Sequence, residues 1–184
     1  MSITENVKKI IIDNPLKLDC GKSISNFPLA YETYGVLNKK KDNAILVFHA
    51  LTGDQFASGL NPITKKDGWW NYALGPGKAI DTNKFFVICA NVIGGCMGSY
   101  GPSSIDKFTK KPIGTNFPVI TINDMVNAQY NLLKEFGIKK LFSVIGGSMG
   151  GMQVLQFMSN FPNSAHTAIP IACTASHSAQ NIAL

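Results

Sequence analysis

With 184 residues, 45% of them hydrophobic, the chain can bury one sizeable core, so one domain or part of one is expected. Its net charge of +6 comes from 17 basic residues, all of them lysine. They form short clusters such as Lys39-Lys40-Lys41 and Lys110-Lys111 without interleaved aromatics; a nucleic-acid surface would use the planar fork of arginine as well, so a solvated rim is expected and nucleic acid is not.

In chain order, apolar runs bounded by turn signals predict strands at Leu29 to Tyr34, Ala44 to Phe48, Phe85 to Ala90, Leu141 to Ile145 and Thr167 to Ala172. From Ala44 onward the runs are nearly continuous in apolarity, as expected of parallel strands covered on both faces. Thr121-Ile122-Asn123-Asp124 opens a helical pattern with Met125, Val126, Leu132, Leu133 and Phe136 on one face, closed by Gly137. A second helix is expected after Ser148, carrying Met152, Leu155, Gln156 and Met158. This alternation predicts an α/β class protein with a mostly parallel, doubly wound sheet. The stretches 53–77 and 91–117 are long, glycine-rich and irregular, which in a compact domain points to function.

No run of about 18 apolar residues marks a membrane span, and Met1 to Asn6 lack a basic-then-apolar leader, so a cytoplasmic protein without a membrane partner is expected. Cys20, Cys89, Cys96 and Cys173 are scattered without a C-x-x-C pair, which argues against a metal site or a disulfide framework.

Gly146-Gly147-Ser148-Met149-Gly150 matches G-x-S-x-G after an apolar strand and before a helix, the context in which the motif forms the nucleophile elbow of the α/β-hydrolase fold. The alternatives, a tight βα turn or a phosphate loop, lack the G-x-x-x-x-G-K-[ST] and G-x-G-x-x-G spacings. Ser148 is therefore the candidate nucleophile. Acyl transfer also needs two backbone N–H donors facing the tetrahedral oxyanion. Met149 is the candidate for one. The other falls in Phe48-His49-Ala50-Leu51-Thr52-Gly53-Asp54, with Leu51 preferred over Ala50. His49 precedes the nucleophile, whereas this fold orders its triad Ser, acid, His, so it reads as a loop-orienting residue. After Glu135 there is no Asp or Glu, and His166 and His177 follow Ser148 too closely. The triad acid and His are expected beyond Leu184, so that residues 1–184 form the N-terminal part of a single α/β-hydrolase domain, incomplete at the C-terminus and without its last strands and lid.

Several loops then carry a resemblance. Gly68-Trp69-Trp70, Gly75-Pro76-Gly77-Lys78-Ala79-Ile80-Asp81-Thr82, Asn91-Val92-Ile93-Gly94-Gly95-Cys96, Gly101-Pro102-Ser103-Ser104, Phe117 to Ile122 and Val144 to Gln153 together resemble the homoserine O-acetyltransferase family, from about Phe27 to the end. The resemblance implies an acyltransferase of methionine biosynthesis. It would move an acetyl group from acetyl-CoA, a cosubstrate and not a bound cofactor, to the hydroxyl of L-homoserine through an acyl-Ser148 intermediate. It also implies that Ala50, Leu51, Thr52 and Gly53 line the substrate, that no metal is used, and that the complete protein is a homodimer. One departure is visible: family members often carry Arg where this chain has Ser176. The alternatives are homoserine O-succinyltransferase or serine O-acyltransferase of the same family, a plain ester hydrolase, and an inactive truncated remnant.

Overall fold

The computed structural model describes residues 7–183; the stretch Met1 to Asn6, on which the expectation about a leader falls, lies outside them. Among the described residues ten strands follow in chain order: β1 (Lys9–Ile12), β2 (Leu16–Lys17), β3 (Ser23–Ile24), β4 (Phe27–Tyr34), β5 (Ala44–Phe48), β6 (Leu74–Gly75), β7 (Ile80–Asp81), β8 (Phe86–Ala90), β9 (Leu141–Gly147) and β10 (Ala165–Ile171). The described residues also form the α-helices α1 (Ile122–Glu135), α2 (Met149–Asn160) and α3 (Ala179–Ala183). Six strands form one sheet in the order β1-β4-β8-β5-β9-β10. The pairs β8/β5, β5/β9 and β9/β10 are parallel, whereas β1/β4 and β4/β8 are antiparallel. The expected doubly wound, mostly parallel sheet is thus present, with an antiparallel flank. All five anticipated strands form, within two residues of their expected bounds.

Alternation along the central strands explains the two-sided core. In β5, Ala44, Leu46 and Phe48 face the helical layer with Ile88, Val144, Leu132 and Phe157, while Ile45 and Val47 face the opposite side with Val87, Cys89, Trp69 and Trp70, because successive side chains of a strand point to opposite faces. The second face is covered by the long β5–β8 connection rather than by an α-helix. Helix α1 begins at a capping box in which Thr121 accepts from Asp124 N–H and Asp124 accepts from Thr121 N–H, satisfying two otherwise unpaired donors. Asp124 is fully buried and also accepts from Asp19 N–H, tying the helix start to the segment between β2 and β3. Gly137 ends the helix with φ +66°, as its left-handed role requires.

Two features differ from the sequence reading. Strand β1 was not anticipated, since Ile10-Ile11-Ile12 shows no alternation and its pairing depends on β4. Strand β10 is not covered on both faces: beyond Ala165 its residues are exposed, with Ile169 at 45% and Ile171 at 41%. On α2, which carries Met152, Leu155, Gln156 and Met158 as expected, the fully buried residues are Gly150, Gly151, Gln153, Val154 and Phe157.

Candidate active site at the carboxyl edge of the sheet

The parallel strands β5, β8, β9 and β10 end together. Phe48 of β5 lies opposite Gly146 of β9, and Gly147 opposite Ile171 of β10. From β5 the chain crosses to β8 on one side, then returns through α1 to β9 on the other. The carboxyl edge next to β5 is therefore the switch point at which open α/β sheets bind ligands.

Ser148 stands at this edge between β9 and α2, with φ +56° and ψ −122°. A non-glycine residue in that region is strained and persists only where its surroundings over-determine it. Here they do. Ser148 N–H donates to Ile171 C=O at 3.0 Å, and Ser148 C=O accepts from Met152 N–H at 3.1 Å. A Cβ on Gly146 would lie 2.5 Å from the Gly150 carbonyl and 2.9 Å from the Phe48 carbonyl oxygen, and one on Gly151 would lie 2.7 Å from Cys173 Sγ. The glycines flanking the turn let strand, helix and neighbouring strands close on one another, leaving the serine side chain exposed.

The loop after β5 begins beside this turn. His49 is 1% exposed. Its Nδ1 lies 2.7 Å from the Ala50 carbonyl oxygen, and its Nε2 lies 3.1 Å from Val92 N. One tautomer satisfies both contacts: Nδ1–H donates to Ala50 and Nε2 accepts from Val92. Burial holds the imidazole below its ordinary value of 6.5, against smaller opposing effects of the Ala50 carbonyl and Asp54. Both ring nitrogens are thus engaged in the loop, which is the orienting role the sequence order suggested.

The peptide planes of this loop are fixed by their carbonyls. The Ala50 carbonyl accepts from His49 and, at 2.9 Å, from Gly53 N–H. Because C=O and N–H point opposite ways across a trans peptide, the Leu51 N–H is turned out of the loop and has no acceptor among the described residues. The His49 carbonyl accepts from Gln153 Nε2 at 3.3 Å, so the Ala50 N–H is turned away from α2. The Ala50 N–H likewise has no acceptor among the described residues, so both remain candidate donors. Met149, first residue of α2, has no intrahelical acceptor for its N–H. Leu51 is 77% exposed, Thr52 is exposed, and Ala50 and Gly53 are half-buried.

The second irregular stretch is bound to the first. Besides Val92 N–H on His49, Gln55 Nε2 donates to the Met97 carbonyl at 2.9 Å; within the second stretch Met97 N–H donates to Asn91 Oδ1 at 3.2 Å and Ser99 Oγ donates to the Asn91 carbonyl at 2.5 Å. Sequence reasoning did not single out Asn91, Val92 or Gln153 as contributors to the site; only the runs carrying the family resemblance contained them.

His166 lies on β10 next to Ala165, which pairs with Leu141 at the opposite end of the strands from Ser148. Among the described residues no imidazole or carboxylate hydrogen-bonds Ser148, no group of three His, Cys, Asp or Glu residues is arranged to hold a metal ion, and no helix is long and apolar enough to cross a membrane. A cavity of 690 Å³ lies at the β1 flank between Lys9, Asn26, Ser99 and Ile105; Ser148 is not among its lining residues. The strained turn and its loop identify the site better than cavity size does.

A family model described as alpha/beta hydrolase fold matches residues 43–179. A homoserine O-acetyltransferase of Pelagibacter ubique (strain HTCC1062) is 75% identical over 183 residues, which cover 100% of this chain and 49% of that protein. One from Methanococcus vannielii is 56% identical over 176 residues, covering 96% of this chain and 36% of its own length. Among solved structures, the esterase E22 L374D mutant matches at TM-score 0.86 and 36% identity over 96% of this chain and 50% of that one. A homoserine O-acetyltransferase from Bacillus anthracis matches at TM-score 0.84 and 34% identity, over 94% and 48%. The chain spans about half the length, or less, of these curated relatives.

Proposed function

Because the chain belongs to the alpha/beta hydrolase fold family, we propose that it carries the nucleophile half of a homoserine O-acetyltransferase site, with Ser148 as nucleophile. The observation that carries the reading is Ser148 at φ +56°, ψ −122° on the carboxyl edge of the sheet, beside a loop whose Leu51 N–H is left free. In the first half-reaction Ser148 Oγ gives its proton to a base and attacks the thioester carbonyl of acetyl-CoA. The oxygen that becomes negative is held by the N–H groups of Leu51 and Met149, the C–S bond breaks, and CoA leaves as the thiol. In the second, the L-homoserine hydroxyl attacks the acetyl-Ser148 ester and Oγ recovers a proton. Donors held in place before the charge develops contribute on the order of 10²- to 10³-fold each. The exposed Leu51 and Thr52, with Ala50 and Gly53, are assigned to the substrate side of the loop.

The base and its carboxylate partner are assigned to sequence outside these 184 residues, which hold no Asp or Glu after Glu135. The cytoplasmic setting and the homodimer belong to the same proposal, and light scattering on the complete gene product reads the latter. The preference for acetyl transfer over the alternatives rests on the 75% identity to the Pelagibacter ubique protein. An ester hydrolase is the second reading, favoured by the likeness to esterase E22 at TM-score 0.86; it shares every feature above except exclusion of water from the acyl-enzyme.

The complete gene product, incubated with acetyl-CoA without acceptor, is expected to gain one acetyl group on Ser148, and Ser148→Ala to gain none. CoA release should then be much faster with L-homoserine than with L-serine or water, and faster from acetyl-CoA than from succinyl-CoA. An increment on another residue would sink the assignment of Ser148, equal rates with water would favour the hydrolase, and a preference for serine or for the succinyl donor would move the protein to a sister activity.

A further inference from the structure

Two glutamines are buried behind the candidate site, and neither has a role in the chemistry above. Gln153 on α2 is 0% exposed and Gln129 on α1 is 1% exposed. Gln129 Nε2 donates to Gln153 Oε1 at 2.8 Å. That bond commits the Gln153 oxygen as an acceptor and turns its Nε2 toward the His49 carbonyl, 3.3 Å away. The Gln129 Oε1 has no partner among the described residues. Buried amides with an unpaired oxygen are a costly filling for a core that apolar side chains would pack without penalty. Something other than packing therefore accounts for their presence.

The residue they grip is the first of the oxyanion loop, and the helix they grip it from begins with Met149. We propose that Gln153 is a positioning residue: by tying the His49 carbonyl to α2, with its amide oriented by Gln129, it sets the separation of the two oxyanion donors, Leu51 on the loop and Met149 on the helix. The proposal rests on the reading of Ser148 as an acyl-accepting nucleophile. Gln153 touches neither substrate nor reacting atoms. It acts through the His49–Ala50 peptide, whose carbonyl it holds, and through the neighbouring Ala50 carbonyl, which the His49 ring holds in turn. A donor displaced by a fraction of an ångström loses most when charge has fully developed, so kcat falls while KM stays nearly constant.

Glutamate in place of Gln153 makes the test specific. A carboxylate can accept from Gln129 but cannot donate to His49, whereas the carboxylic acid can do both, and burial raises the pH at which it ionises. The complete gene product, with Gln153→Glu, Gln153→Leu and Gln129→Leu, is assayed for the rate of CoA release on acetylation of Ser148, alongside thermal unfolding. Unmodified protein that fails to acetylate Ser148 condemns the functional reading itself. Given acetylation, Gln153→Leu is expected to lose about tenfold or more in kcat with KM within about twofold, and Gln129→Leu to lose less. Gln153→Glu, expressed as a ratio to unmodified protein at each pH, is expected to recover as pH is lowered from about 9 to about 6. If Gln153→Leu fails to fold, that ratio decides alone. A ratio flat with pH, or a folded Gln153→Leu protein acetylating within twofold of unmodified protein, overturns the proposal.

Discussion

Gly150 sits against the carbonyl of Phe48 so closely that no side-chain atom fits between them. The helix after the candidate nucleophile is thereby seated on the last residue of the central strand, and the geometry of Ser148 depends on that contact.

Gly150→Ala is accordingly expected to destabilise the protein by about 1–3 kcal/mol, the usual cost of overpacking, and to lower activity by shifting the serine. Gly147→Ala provides the contrast. A Cβ there meets nothing within 4 Å, so its stability should change by less than about 0.5 kcal/mol. Denaturant midpoints of the two variants check the difference, and equal losses would mean that the glycine contact is not what holds the turn.

The strain at Ser148 has a measurable sign. Glycine adopts φ +56° readily, so Ser148→Gly is expected to gain about 1 kcal/mol of stability while losing all acylation. Ser148→Ala keeps the strain and should show no such gain. Identical melting temperatures for the two variants would argue against a strained native serine.

His49 predicts a pH dependence. Burial puts its folded-state pKa below the ordinary 6.5, so below that pH the unfolded chain binds more protons than the folded one. Its contribution is therefore fully present above pH 6.5 and is lost as pH falls through the folded pKa. Denaturant unfolding at about pH 8 and about pH 5.5 should show a drop in stability that is smaller in His49→Gln. A drop of the same size in both would mean that other groups carry it.

Assayed as 184 residues alone, the chain is expected to show no acyltransferase turnover. Losing triad members costs on the order of 10⁴ to 10⁶ in a serine protease, and no imidazole or carboxylate among the described residues bonds Ser148. The open β10, with Ile169 and Ile171 exposed beside Phe142 at 43%, should favour aggregation. Turnover within tenfold of that of a full-length relative, measured by CoA release from acetyl-CoA with homoserine, would overturn the placement of the base.

Much of this site was legible because the elbow is a local device. Gly146 to Gly150 is five consecutive residues whose spacing, strand before and helix after specify the turn with no knowledge of distant contacts. The α1 cap at Thr121 and Asp124 was legible for the same reason. What escaped was made by long-range pairing. Strand β1 exists because β4 offers it an edge. The close seating of Gly150 on the Phe48 carbonyl is likewise a contact between distant parts of the chain. The grip of Gln153 on His49 joins residues 104 apart in the chain, and no periodicity could signal it.

The imidazole of His49 fastens the loop that follows β5 to the loop that follows β8 through Val92 N–H. For anyone seeking to remodel this edge of the sheet by exchanging loops with a relative, the unit of exchange is consequently not residues 50–53 alone. A transplanted first loop would arrive without the backbone donor that fixes its imidazole, and a transplanted second loop would leave that imidazole unsupported. The two stretches are separable in sequence but inherit their conformation jointly, so grafts should carry both, with Asn91 to Ser99 travelling alongside His49 to Gln55.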